Sequence, residues 1–480
     1  MVQKERIMKK TYYPRRITAL GLSALLASCM VGPDYQKPDT SLPAAWSSPA
    51  AKAEADKKTA TEQNWWEHFN DPALNQLITK ALAGNFDLKI AEARIAEARA
   101  TRASATSDLI PTVNATAGAD RQANRVDFGN APFNLTKPFN TFQAGFDASW
   151  ELDLFGGKRR EIESDTAELK ASEASRDDIR VSLLAEVART YVDIRQYQAQ
   201  IQIVEDTIKA DQHTLDIAGE RVRSGTSPGL DVTQASAQLN QEKSDLPHIQ
   251  NQLAQAEFSM DVLLGEQPGS THAVTNAPAP IPVADNALIA ATPIDVIANR
   301  PDIRVAERKL AAATAEQGIA TARLFPDVSL SGFFGLLNPD IGNLLRTGSK
   351  SWDLGGNVLW PIFNYGKLSA GIDASNARQK EALLTYQKSI VAALSDVERS
   401  LTAYDKEEEH RALLTRTAED NHHAADIARQ RYKEGLSSFV EVLDAERTEY
   451  ASQSARAASD ALASENLIAV YKSLGGGWRK

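Results

Sequence analysis

"TFQAGFDASWELDLFGGK", Thr141 to Lys158, is the stretch that decides the fold. Phe142, Ala144, Phe146, Ala148, Trp150, Leu152 and Leu154 hold every even position. Gln143, Gly145, Asp147, Ser149, Glu151 and Asp153 stand between them. A period of two places one set on each face of a strand. The run exceeds the usual strand of about five or six residues. It is also long enough to cross a bilayer as a tilted strand, which takes about 9–11 residues. Taken alone, the segment fits a long sandwich strand and a barrel strand equally well, because a single barrel segment is a weak signal.

The pattern has company. Val113, Ala115, Ala117 and Ala119 alternate just upstream, followed by a loop at 121–140 rich in Asn, Pro and Phe. Val328, Leu330, Gly332 and Phe334 alternate again, as do Trp352, Leu354, Gly356, Val358, Trp360 and Ile362. The sequence therefore predicts four strands. Trp150, Trp352 and Trp360 are candidates either for an interfacial aromatic belt or for ordinary packing.

Long helices separate the strand pairs. Asp71 is a good N-cap and Pro72 suits the first helical position. An apolar stripe and then the Ala-rich "AEARIAEARATRASAT" predict one helix from there to about Leu109. From Lys158 to Arg223 there is no Pro, and apolar residues from Ile179 to Leu215 recur at the helical period. That helix is on the order of 100 Å long at 1.5 Å per residue. A second is expected over Leu230–Leu264 with a kink at Pro247, and a third from Pro301 to Leu324. Together these two nearly match the single long helix. The Pro-rich "PGSTHAVTNAPAPIPVADN" (268–286) is expected to bulge between them. A final long helix runs to Arg431.

The two halves are a tandem duplication. "NYGK" at Asn364–Lys367 matches "FGGK" at Phe155–Lys158. "RYKEGLSSFVEVLDA" (Arg431–Ala445) aligns with "RVRSGTSPGLDVTQA" (Arg221–Ala235), 210 positions earlier. Matching loops as well as matching periods mark a true repeat. The expected organisation is a signal peptide at 1–28, an extended segment at 29–70, a first repeat at 71–265, a Pro-rich connection at 266–300 and a second repeat at 301–480.

Charge and the amino terminus narrow the function. The net charge is −10, and residues 1–28 carry six Lys or Arg against one Glu, so the remainder is more acidic still. An acidic body argues against nucleic acid as a partner. Lys9, Lys10, Arg15 and Arg16 precede a short apolar run, Ile17–Ala27, too short to span as a helix. The run ends in Leu26-Ala27-Ser28-Cys29, a lipobox-like stretch holding the one cysteine of the chain, so Cys29 is the candidate lipidation site. Met30, not Asp, follows it, which by resemblance to known lipoproteins favours the outer membrane.

Four strands cannot close a barrel, since the smallest membrane barrels have about eight. An open sheet edge in lipid leaves backbone groups unpaired at several kcal/mol each. If these strands cross a membrane, several chains share one barrel, and the polar helices extend from it into water.

These features resemble the TolC-type outer-membrane factors, in the lipoprotein branch that includes NodT/OprM-like channels of tripartite efflux systems. The resemblance rests on "CMVGPDYQKPD" (Cys29–Asp39), "WWEHFNDPALNQLI" (Trp65–Ile78), "RPDIRVAE" (Arg300–Glu307) and the paired turns at Gly225 and Gly435. It implies a mixed α+β membrane protein: a homotrimer with a 12-stranded outer-membrane β-barrel, four strands per chain, continued by a long α-helical barrel in the periplasm. An equatorial belt at mid-tunnel would take the Pro-rich linker, the Trp65 region and the C-terminal tail. The implied partners are a periplasmic adaptor protein, an inner-membrane efflux transporter and outer-membrane lipid. No cofactor is implied beyond a covalent lipid on Cys29.

The resemblance also implies site residues. The turns at Gly225 and Ser227, and at Gly435 and Ser437, are the expected adaptor-docking tips. Glu441 and Asp444 fall where acids ring the narrow periplasmic entrance, with Glu441 in place of a usual Asp. Like carboxylates around a narrow pore concentrate cations. Asp231 and Tyr432 fall where contacts hold the tip shut, and Ser437 stands where some relatives carry an Arg. Read from the residues alone, Glu441, Asp444 and Asp231 are equally first-turn acids on solvated helix faces.

There is no Gly-rich phosphate loop, no Cys/His metal spacing and no Gly-x-Ser-x-Gly elbow, so no enzyme is expected. His422 and His423 are adjacent, face different directions on a helix, and read as surface residues. The leading expectation is a passive exit duct for small molecules. The alternatives are the duct of a type I protein-secretion system and a lipid-anchored periplasmic coiled-coil scaffold.

Overall fold

The computed structural model describes residues 30–39, 43, 46, 64–126, 135–284 and 293–478. The expected signal peptide and Cys29 lie outside the described residues. In chain order the elements are α1 (Pro72–Gly84), α2 (Phe86–Ser107), β1 (Thr112–Val126), β2 (Leu135–Leu152), α3 (Gly157–Arg223) and α4 (Gly229–Leu264). Then follow α5 (Pro293–Asn299), α6 (Pro301–Ala322), β3 (Asp327–Asn338), β4 (Lys350–Leu359), α7 (Lys367–Lys433) and α8 (Phe439–Ser473). Among the described residues no helix is long and apolar enough to cross a membrane. Two compact units cut across both repeats: residues up to Pro38 with Ala96–Lys170 and Glu307–Leu384, and Asp39–Ile95 with Ala171–Ala306 and Thr385–Lys480.

The first unit holds one antiparallel sheet in the order β1-β2-β3-β4. The β2–β3 pairing, Phe142 opposite Asn338 through Leu152 opposite Val328, joins the hairpin of one repeat to that of the other. β1 and β4 are the edges. Register aligns Ala115, Phe146, Phe334 and Trp352 in one row across all four strands. The aromatic members of that row are 58%, 70% and 76% exposed. So the apolar face that the alternation predicts stands uncovered within one chain. On the opposite face Gly145 lies across from Gly335. A Cβ on Gly145 would come within 2.7 Å of the Gly335 Cα and 2.9 Å of the Phe333 ring, so these two backbones pass too closely for side chains.

β1 and β2 extend further than the sequence suggests, to Val126 and from Leu135, which leaves 127–134 of the expected loop outside the described residues. β4 stops at Leu359 instead of Ile362. Pro361 has no N–H for the ladder, and the Trp360 indole donates to Leu324 O at 3.1 Å. Trp150, the matching residue of the first repeat, donates to Leu109 O at 2.9 Å. Each of these two indoles thus caps a carbonyl just beyond the helix that feeds a strand, while Trp352 stands in the exposed row.

The Pro-Asp-Tyr segment is strapped to the same unit. Arg160 is 1% exposed and donates to Val31 O and Gly32 O, each at 3.2 Å, and to Asp34 and Glu163, each at 2.7 Å. Tyr35 Oη donates to Glu307 at 2.5 Å.

The second unit carries the main core. Trp65 stacks on Tyr471 at 5.1 Å, and Leu74, Leu77 and Ile78 of α1 pack with Leu184, Tyr191 and Ile194 of α3. Asp71 caps α1, accepting from Ala73 N at 2.8 Å and Leu74 N at 3.2 Å, and takes the Tyr191 hydroxyl at 2.5 Å. Arg195 donates to that hydroxyl at 2.9 Å and pins the Pro-rich connection through Ala277 O at 2.8 Å.

One expected helix is two. The run from Pro72 breaks at Asn85, whose side chain donates to Leu263 O at 2.9 Å and accepts from Leu88 N at 3.1 Å, capping α2. A Cβ on Gly84 would lie 2.1 Å from Leu264 O. Contact with the end of α4 overrides the local helical pattern. The long helices match their predicted spans, and α4 continues through Pro247.

Candidate functional site at the paired helical turns

The α3–α4 and α7–α8 turns occupy the same positions of the two repeats. Gly225 and Gly435 adopt φ of 73° and 79°, the left-handed region that ends a helix cheaply only in glycine. Each amide bonds back into the last helical turn, Gly225 N to Val222 O at 3.0 Å and Gly435 N to Tyr432 O at 2.9 Å. Around them lies a small apolar cluster of Ala235, Tyr432, Phe439, Val442 and Leu443, with Tyr432 and Phe439 edge to face at 5.6 Å.

The sequence-predicted residues fall into three groups. Tyr432 and Asp231 meet: the hydroxyl donates to Asp231 Oδ2 at 3.4 Å, a long bond, and burial pushes the phenol above its usual pKa. Glu441 is tied into its own helix end. It accepts from Ser438 N at 3.3 Å while Ser438 Oγ accepts from Glu441 N at 3.4 Å, a capping box. Asp444, three residues on and so on the same helical face, is exposed. Ser227 accepts from Arg221 Nε at 3.1 Å, whereas the Oγ of its counterpart Ser437 is buried with no hydrogen-bond partner.

A further residue that joins the two turns is one that sequence reasoning missed. Arg221 donates Nη1 to Tyr432 O at 2.5 Å and stacks over the Tyr432 ring at 4.6 Å. Its repeat equivalent, Arg431, reaches only Leu436 O of its own turn, at 3.3 Å. Both arginines stand at one position of the aligned strings, so the pair was visible, but not which of them crosses. The Ser-x-x-Glu spacing at 438–441 was a readable cap signal.

Elsewhere, "RPDIRVAE" is a fastener. Arg300 donates to Asp302 at 2.8 Å and to Ser473 O at 2.9 Å, and Arg304 lies over the Trp478 ring at 4.8 Å. His422 is hydrogen-bonded to Glu449, which holds it above its usual pKa. Among the described residues no group of His, Cys, Asp or Glu has the arrangement of a metal site.

The chain is similar to known proteins along nearly its whole length. A family model described as outer membrane efflux protein matches residues 77–266 and 293–476. Pyoverdine export outer membrane protein OpmQ of Pseudomonas aeruginosa is 31% identical over 469 residues, 97% of each chain. Toluene efflux pump outer membrane protein TtgI of Pseudomonas putida is 33% identical over 465 residues, 95% of this chain and 96% of that one. Among solved structures, the outer-membrane channel OprN superposes with a TM-score of 0.87 at 34% identity, covering 94% of this chain and 100% of that one. CusC superposes with a TM-score of 0.81 at 27% identity, again covering 94% and 100%.

Proposed function

The chain belongs to the outer membrane efflux protein family, and from that premise we propose that it is the passive exit duct of a tripartite pump. Small molecules enter from an inner-membrane transporter through a periplasmic adaptor and diffuse out, and no bond is made or broken in this chain. The observation that carries the reading is the four-stranded sheet, with its exposed apolar row and its open edges β1 and β4. Unpaired strand edges cost several kcal/mol per backbone group in lipid. Three copies would seal each β4 against a neighbouring β1 and close a 12-stranded barrel.

In this reading Cys29 carries the lipid anchor and the helical unit stands in the periplasm. The turns at Gly225 and Ser227, and at Gly435 and Ser437, receive the adaptor. Glu441 and Asp444 face the entrance, and Asp231 with Tyr432 helps hold it closed. The two relatives described above are named for pyoverdine export and toluene efflux, which supports small molecules over secreted proteins as cargo.

Single-channel recording of the purified protein in planar bilayers, with a heat-resistant trimer on gels, tests the duct. A lipid-anchored scaffold would give no conductance, and that result would reject the proposal. Glu441→Ala with Asp444→Ala should weaken cation preference; unchanged ion selectivity would remove these two from the entrance. A deletion strain that becomes sensitive to antibiotics or solvents, with protein secretion intact, separates small-molecule efflux from type I secretion.

A further inference from the structure

The seam between α3 and α8 gathers more buried acids than the described cations beside it. Asp211 of α3 and Glu242 of α4 are 4% and 3% exposed. One carboxylate oxygen of each, Asp211 Oδ2 and Glu242 Oε2, is buried without a hydrogen-bond partner. Glu446 of α8 faces the same space and accepts from Thr214 Oγ1 of α3 at 2.9 Å. The cations nearby are shared or bonded to other groups. Arg429 of α7 is shared among Asp426 at 2.7 Å, Glu449 at 3.1 Å and Glu446 at 3.6 Å. Arg447 of α8 gives its Nε to Gln238 of α4 at 2.8 Å. Asp245 of α4 and Glu449 of α8 add further negative charge, and Tyr450 of α8 also faces Glu242.

A second layer repeats the arrangement. Asp193 of α3 and Glu465 of α8 face each other across the seam, and burial holds both above the usual carboxylate range, with the Asp193 charge adding to the rise of Glu465. Glu186 and Tyr197 of α3 face this pair, and among the described residues the cation beside it, Arg189, is mostly exposed and reaches Glu465 at 3.4 Å. Asp193 and Asp211 are eighteen residues apart. That is five helical turns, or about 27 Å, so both lie on one face of α3.

We propose that these two layers, Asp193–Glu465 and Asp211–Glu242–Glu446, form a proton-held clasp along the seam, binding α3 to α8 and α4 while protonated and loosening it when the protons leave. Burial pushes Asp211, Glu242 and Glu465 each up to about 7, far above ordinary carboxylates. The folded chain therefore keeps protons that the unfolded chain has released above about pH 4. Stability from this source is greatest at low pH and is lost as pH rises through about 7. The inference stands on packing within one compact unit and is independent of the duct reading.

Hydrogen exchange on the full-length protein in detergent, between pH 6 and 8.5 and corrected for intrinsic exchange, tests it. Amides around Asp193 and Asp211 should lose protection about tenfold or more across that range, while those around Trp65 and Leu74 hold steady. Asp211→Asn with Glu242→Gln should flatten the response around Asp211 and leave that around Asp193. Protection in the unmutated chain that does not change with pH would overturn the clasp, as would a variant that responds like the parent. Should the variant fail to fold, infrared difference spectra of the unmutated protein decide. A protonated-carboxyl band present at pH 6 and lost at pH 8.5 upholds the clasp, and its absence at pH 6 overturns it.

Discussion

Replacing Arg221 by Ala should loosen the hold of the α3–α4 turn on the α7–α8 turn. The side chain makes one charge-assisted bond across the turns, to Tyr432 O at 2.5 Å, one to Ser227 at 3.1 Å, and a stacking contact on the Tyr432 ring at 4.6 Å. Bonds from a charged donor contribute roughly 1.5–3 kcal/mol, and an exposed cation–π contact roughly 0.5–1 kcal/mol. Arg221 is partly exposed, and the Ser227 bond lies within its own turn. The loss that bears on joining the turns is therefore about 2–3 kcal/mol. At about 1.4 kcal/mol per factor of ten, this shifts the balance from joined toward parted turns by roughly 30- to 150-fold. Hydrogen exchange of the 221–228 and 431–438 peptides reads that shift directly, and the open fraction in single-channel records reads its consequence. Arg431→Ala is the internal control, because its one bond, to Leu436 O at 3.3 Å, stays in its own turn. Equal behaviour of the two variants, or no change in Arg221→Ala, would refute the assignment of Arg221 as the cross-link.

Three further outcomes are expected. Trp352→Arg places a charge in the exposed aromatic row at a cost of about 2–4 kcal/mol near a bilayer midplane; refolding yield into lipid vesicles should fall while helical content in detergent is kept. Asp71→Ala removes the α1 cap and the acceptor of the Tyr191 hydroxyl, and should lower stability by about 1–2 kcal/mol, seen as an earlier urea midpoint. Arg160→Met should free the strap at residues 31–34, which it holds through three of its bonds. The expected loss is about 2–3 kcal/mol, and limited proteolysis should cut that segment at least several-fold faster than in the parent.

Much of the architecture was legible because it rests on periodicity and on chain-breaking residues. A period of two over Phe142–Leu154 can only present one apolar face, and the register sets its Phe146 in an exposed row with Phe334 and Trp352. The long helices begin and end where Gly, Pro and the repeat strings place them, since those residues set backbone geometry locally. The break at Asn85 was not legible, because its cause is the Leu263 carbonyl, far away in the chain. Trp150 and Trp360 read as belt or packing residues until the structure aimed their indoles at Leu109 O and Leu324 O. At the turns, the glycines could be found by alignment of the repeats, and Asp231 and Tyr432 by the family resemblance, but the choice of Arg221 over Arg431 could not.

The sequence by itself determined the long helices, the duplication and the two-faced strands, because each follows from side-chain spacing and backbone preference within a few residues. Only the tertiary structure decided which of two equivalent arginines spans the turns, which tryptophans close the helix–strand joints, and that Asp211 and Glu242 each bury a carboxylate oxygen without a hydrogen-bond partner. Those outcomes depend on groups as much as 211 and 232 residues apart being brought within hydrogen-bonding distance, and spacing along the chain carries no record of that distance.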